Sequence, residues 1–163
     1  MKTLLVYYTR TGKTETAAKE IASRIGGDLV RIDDGRDRKG ILGFILAGFD
    51  SVSERSTGLL PVELPAPLAD YGLVVVCSPV WAARLSPVVR TFLSTYGHAL
   101  PAAAWLLTRA GTNAYETLFD AMDSLSGNRR IAAVSLQPGD HLYGGMLDAF
   151  VREISGAAGS SGK

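Results

Sequence analysis

Residues 3–14 read Thr-Leu-Leu-Val-Tyr-Tyr-Thr-Arg-Thr-Gly-Lys-Thr, and the change of character at Thr9 decides the fold. Residues 3–8 are almost entirely apolar or aromatic, as in a strand covered on both faces of a parallel sheet. Beyond the polar hexapeptide 9–14, Ala17, Ala18, Ile21, Ala22 and Ile25 recur at spacings of three and four. That period gives a helix one apolar face, and Gly26-Gly27 end it. A buried strand leading through a short polar turn into an amphipathic helix is the first half of a strand–helix–strand unit.

The same alternation continues along the chain. Residues 72–77 and 131–136 are further apolar runs of strand length, and 28–33 and 103–108 are weaker ones. Val88, Val89, Phe92, Leu93 and Tyr96 form a helical stripe stopped by Gly97, and Tyr115, Leu118, Phe119, Met122 and Leu125 form another stopped by Gly127. Met146, Leu147, Phe150, Val151 and Ile154 form the last. Strand and helix alternate five times, which predicts an α/β chain with right-handed crossovers and helices on both faces of a parallel sheet. Segment 35–60 fits less well. It carries Arg36, Arg38 and Lys39, then an apolar run from Ile41 to Phe49 broken by Gly43 and Gly48. It reads as a second crossover helix weakened by glycine, or as a loop over the ligand end. Residues 1–155 read as a single domain and 156–163, rich in Gly, Ser and Ala, as a disordered tail.

Composition bounds the function. The 163 residues carry 17 basic and 16 acidic side chains, a net charge of +1, without the basic excess of a nucleic-acid binder. One cysteine, Cys77, rules out an intrachain disulfide and a thiolate zinc site, and two histidines, His98 and His141, leave no metal-binding set. The run 41–49 falls short of the about 20 apolar residues of a membrane span. Only Leu4, Leu5 and Val6 precede the first tyrosines, too few for a signal-peptide core. The expectation is a cytoplasmic protein with neither a membrane span nor a nucleic-acid partner.

The hexapeptide Thr9, Arg10, Thr11, Gly12, Lys13, Thr14 is the first candidate site. It opens a helix, where unpaired amides and the helix dipole favour an anion. Three hydroxyls supply further short donors, and Gly12 lets the backbone approach phosphate oxygens. A threonine-capped helix start is the competing reading, but three threonines flanking a glycine exceed what a cap requires. The loop is not a nucleotide-triphosphate loop, because Tyr7 stands where that pattern needs its first glycine. Nor is it the glycine-rich dinucleotide fingerprint.

The pattern Thr-x-Thr-Gly-x-Thr after the first strand resembles the phosphate loop of flavodoxins. Ser78-Pro79-Val80-Trp81 after the third strand, followed by Pro87, and the basic, glycine-containing segment 40–57 leading into Asp70-Tyr71-Gly72 extend the likeness to the small bacterial flavodoxin-domain proteins. The resemblance implies a flavodoxin-like doubly wound fold, a five-stranded parallel sheet of order 2-1-3-4-5 in three layers, with FMN at the carboxyl ends of the strands where the order reverses. It implies that Pro79, Val80, Trp81 and Ala82 border the flavin ring, with Trp81 stacking on it. The competing reading of Trp81 is a half-buried core residue. It further implies that Thr108, Arg109 and Gly111 contribute backbone donors; the loop holds no aromatic lid, so the second ring face is open, which suits a flat hydride donor, or covered by Arg109. Ala82-Ala83 departs from relatives that carry glycine near Ala83. No catalytic side chain and no metal ligand is assigned. Cys77 reads as a small packed hydrophobe and His141 as a surface residue.

Two redox functions follow. One is an FMN-dependent oxidoreductase taking electrons from a nicotinamide donor and passing them to a small quinone. The other is an electron carrier docking to a redox protein partner. Carriers of this kind are usually strongly acidic, whereas the ligand-end loops here hold Arg10, Lys13, Arg84 and Arg109, which favours the oxidoreductase. A flavodoxin-like binding module without flavin is the third reading. The run 41–49 is a candidate contact surface for a homo-oligomer.

Overall fold

The computed structural model describes residues 1–36 and 58–160. The sequence-predicted second crossover helix, its basic flank at Arg38 and Lys39 and the 41–49 contact surface lie outside these residues. Six strands run in chain order as β1 (Thr3–Tyr7), β2 (Asp28–Arg31), β3 (Leu73–Trp81), β4 (Arg84–Leu85), β5 (Ala102–Thr108) and β6 (Ala132–Leu136). Four described helices accompany them: α1 (Lys13–Ile25), α2 (Pro87–Tyr96), α3 (Glu116–Ser126) and α4 (Tyr143–Ser160).

The sheet order is β2-β1-β3-β5-β6, all parallel, with the two-residue β4 paired antiparallel to β3. Counting the parallel strands alone, this is the expected order 2-1-3-4-5. The reversal between β1 and β3 opens a crevice at their carboxyl ends. Alternation along the strands builds two cores. Leu4, Val6, Val74, Val76 and Trp105 face one side, under Val88, Val89, Phe92 and Leu93 of α2 and Phe119 and Met122 of α3. Leu5, Tyr7, Leu73, Val75 and Cys77 face the other, under Ala17, Ala18 and Ile21 of α1 and Leu147, Phe150 and Ile154 of α4. The sheet is thus the middle of three layers, and its central strands are apolar at most positions because both faces are buried.

Helix boundaries follow the chemistry read from the sequence. Gly26 ends α1 in the left-handed conformation, φ 67°, returning its N–H to the Ala22 carbonyl. Ser86 caps α2 by accepting the Val89 N–H, with Pro87 in the first turn. Gly127 closes α3 at φ 68°.

Two expectations are corrected. The third strand does not end at Cys77 but runs on to Trp81, so Ser78-Pro79-Val80-Trp81 is strand and not loop. Parallel pairing with β5 persists to Pro79, opposite Thr108, after which the chain pairs with its own return, Val80 with Leu85 and Trp81 with Arg84. Pro79 is tolerated because β1 has already ended on that side: the Cys77 carbonyl takes its last bond from the Tyr8 N–H at 3.2 Å. The tail is the second correction. The last helix continues through Gly156 to Ser160, beyond Ile154 where the apolar stripe stops. Among the described residues no helix is long and apolar enough to cross a membrane.

Candidate functional site

Strand register brings three segments to one end of the sheet. Tyr7 lies beside Cys77, and Pro79 beside Thr108. The loop leaving β1, the turn leaving β3 and the loop leaving β5 therefore rim the same crevice.

The first loop is shaped by its own donors. The buried Thr9 Oγ1 accepts the Gly12 N–H at 2.9 Å and folds the loop back on itself. Gly12 then enters α1 at φ 91°, a left-handed conformation that strains any residue with a Cβ. Gly12 has no side chain to cap α1, and no other described side chain caps it. Helix geometry leaves the N–H groups of Lys13, Thr14 and Glu15 without an acceptor inside the helix. Thr11 and Lys13 are exposed at the rim, and Arg10 is half-buried. Glu15 is the one acid in the first turn. Its carboxylate pairs with Lys19 at 2.6 Å, which, with a smaller contribution from the Tyr7 hydroxyl, holds it below the usual carboxylate range. The charge at this helix end is thereby compensated locally. Thr14 points inward instead. Its side chain is buried, and its Oγ1 lies 2.7 Å from Thr108 Oγ1, across β3.

The segment after β3 is a two-residue hairpin. Ala82 and Ala83 take φ of 46° and 58°, so both central residues are left-handed, the signature of a type I′ turn. Such turns favour Asn and Gly; alanine occupies them at a cost of roughly 1–2 kcal/mol per residue. Ala82, Ala83 and Arg84 are exposed at the tip. Trp81 is 7% exposed and lies edge-on to Tyr8, ring centroids 5.4 Å apart at 80°. The expected open stacking wall is therefore a core ring that anchors the hairpin, and the surfaces offered at the tip are alanine methyls and backbone.

The third loop is held by Arg109, though not as a cover for the crevice. Its N–H bonds the Leu136 carbonyl at 2.9 Å, its Nε reaches Ser135 Oγ at 3.1 Å, and one terminal nitrogen bonds Gln137 Oε1 at 2.9 Å and the Gly111 carbonyl. The guanidinium is drawn toward β6, away from β3. Ser135 and Gln137 carry no sequence signal for this role, since they lie 26 and 28 residues from Arg109. Ala110, Gly111, Thr112 and Asn113 are exposed, and Asn113 Oδ1 accepts the Tyr115 N–H at 2.9 Å to start α3. Cys77 is fully buried, and burial pushes its thiol up, so it has no nucleophilic character. His141 is exposed beside Asp140. No group of acids, histidines and cysteine among the described residues is suited to a metal.

Compared with known proteins, the chain matches no protein-family profile and no curated protein sequence. Solved structures do match. A flavoprotein from Lactobacillus acidophilus NCFM, in complex with FMN, superposes with a TM-score of 0.70 at 20% identity over 91% of this chain and 97% of that one. A flavoprotein from Bacteroides uniformis gives 0.70 at 18% over 94% and 97%. The two-electron reduced flavodoxin of Megasphaera elsdenii gives 0.57 at 16% over 91% and 97%. The chain has the flavodoxin-like fold, and these structures share it from end to end.

Proposed function

We propose that the protein binds FMN, with the phosphate at the start of α1 and the ring in the crevice between the β3–β4 hairpin and the loop after β5. The observation that carries this is the uncapped amino end of α1, entered through Gly12 at φ 91° beside the Thr9 hydroxyl. Its donor set, free amides with threonine hydroxyls and a flanking Lys13, suits a phosphate monoester. In this reading Thr9, Arg10, Thr11, Gly12, Lys13 and Thr14 form the phosphate subsite. Pro79, Val80 and Ala82 border the ring through their backbone, with Trp81 supporting them from beneath. Thr108 and Gly111 close the other side, and Arg109 fixes their loop. Similar solved structures include one in complex with FMN, which supports the assignment. The decisive measurement is a visible absorption spectrum after incubation with FMN and gel filtration. A flavin band travelling with the protein is expected, and a colourless fraction would leave the flavin-free binding module.

When bound, FMN supplies reversible one- and two-electron transfer; the chain supplies binding, orientation and access. We read the reaction as oxidation of a nicotinamide cofactor coupled to reduction of a small quinone, in the cytoplasm. The net charge of +1 and the exposed Lys13 and Arg84 favour an anionic dinucleotide over the strongly acidic surface of a carrier. Arg109 is turned toward β6 rather than over the crevice. A carrier role is the second reading, favoured by the end-to-end match to a single-domain flavodoxin. Stopped-flow mixing with NADH and NADPH separates the two. Bleaching of the flavin band within seconds is expected for the oxidoreductase. No bleaching over minutes, with fast reduction by a flavoprotein reductase, assigns the carrier.

A further inference from the structure

The phosphate loop reaches past its nearest neighbour in the sheet. Thr14 belongs to the first turn of α1, which follows β1, yet its hydroxyl meets Thr108 at the end of β5, with β3 lying between those strands. Both side chains are buried, at 1% and 5% exposure, and the oxygens are 2.7 Å apart. Strand alternation explains why Thr108 is available. Ala104 and Leu106 of β5 face the α1 side of the sheet, so Thr108, two residues on, faces it too. One hydroxyl donates to the other, and burial keeps both oxygens away from water.

We infer that Thr108 and Thr14 form a positioning pair. Their bond pins the amino end of α1 over the carboxyl ends of β3 and β5 and fixes where the amides of Lys13, Thr14 and Glu15 point. Thr108 then governs anion affinity without touching the anion, and Thr14 contributes through its backbone N–H. The inference rests on the phosphate reading of the loop, and it differs from a direct hydroxyl contact in one respect. Within a pinned pair, removing either hydroxyl has the same effect as removing both.

The test uses the whole chain and two probes. Inorganic phosphate is followed through the amide resonances of residues 13–15, and FMN and riboflavin through flavin fluorescence. Thr108→Val and Thr14→Val are each expected to weaken phosphate and FMN about tenfold, the loss of one hydrogen bond's worth of positioning. The double variant should be no weaker than either single, riboflavin affinity should fall by much less than FMN affinity, and Thr108→Ser should restore binding. Thermal melts of each variant show that it is folded at the assay temperature, and the alanine variant at the same position serves in place of any that is not. Additive losses overturn the pair, as does wild-type affinity in Thr108→Val or an equal loss of riboflavin affinity. Phosphate shifts at residues 13–15 in a chain that takes up no FMN would reject the flavin reading while leaving the pair standing. No phosphate response in the wild type would reject the pair's role.

Discussion

At the scale of single residues, the loop after β1, proposed to hold the phosphate, separates geometry from charge. Thr9 uses its hydroxyl to hold the Gly12 N–H, so it sets the loop's shape from a buried position. Lys13 is exposed, and a solvated charge is screened by water and salt. Thr9→Ala should therefore weaken FMN binding by about 1–2 kcal/mol, Thr9→Ser should retain most of the affinity, and Lys13→Ala should cost less. Titrating each variant with FMN at low and at high salt checks this. Lys13→Ala losing more than Thr9→Ala at high salt would transfer the role to the lysine. Sequence sufficed to place these residues at a strand-to-helix junction because strand, turn and helix are local, and the helix-start amides follow from position alone. It could not separate Thr9 from Thr14, because the distinguishing partner, Thr108, lies 94 residues away.

At the scale of elements, the β3–β4 hairpin is where local sequence says least. Ala82-Ala83 gives no turn signal, since alanine has no preference for positive φ, so Val80 and Trp81 pass for loop when they are strand. β1, β5 and β6 were legible because burial on both faces leaves nearly unbroken apolar runs, and the helices because their stripes end at glycine. The last helix outruns its stripe, since nothing in Gly156 to Ser160 carries an apolar period. The strain at the tip makes a prediction. Replacing both Ala82 and Ala83 with Gly removes the left-handed penalty at a smaller entropic cost in the unfolded chain. The variant should be more stable by about 0.5–1 kcal/mol, read from chemical denaturation midpoints. A lower midpoint would mean that the alanine methyls are packed, contrary to their exposure.

At the scale of the whole molecule, tyrosine hydroxyls tie distant parts of the fold to carboxylates. Tyr71, just before β3, donates to Asp28 Oδ2 at the start of β2, at 2.7 Å. Tyr143, opening α4, donates to Glu20 of α1 at 3.3 Å. Burial, reinforced by the neighbouring carboxylate, pushes each tyrosine up to about 12. An unfolded chain loses these protons near pH 10. Between pH 10 and about 12 the unfolded state therefore binds fewer protons than the folded one, and stability falls as pH rises. The acid side has the opposite sign. Asp28 is held below its ordinary value by the Tyr71 hydroxyl first and by Lys2 after it, and Glu15 by Lys19. Their contribution is present above the ordinary carboxylate range and is lost as pH falls through it. The melting temperature should thus be level from about pH 5 to 8 and drop on either side, the alkaline decline beginning with the buried Cys77 thiol and steepening above about pH 10 with the tyrosines. Tyr71→Phe with Tyr143→Phe should lower it at pH 7, because two hydrogen bonds are lost, yet flatten the alkaline decline, because the groups that titrate are gone. Differential scanning calorimetry from pH 4 to 12 measures both effects. A decline above about pH 10 as steep in the double variant as in the wild type would assign it to other groups, Cys77 and Tyr7 first among them, since burial raises both.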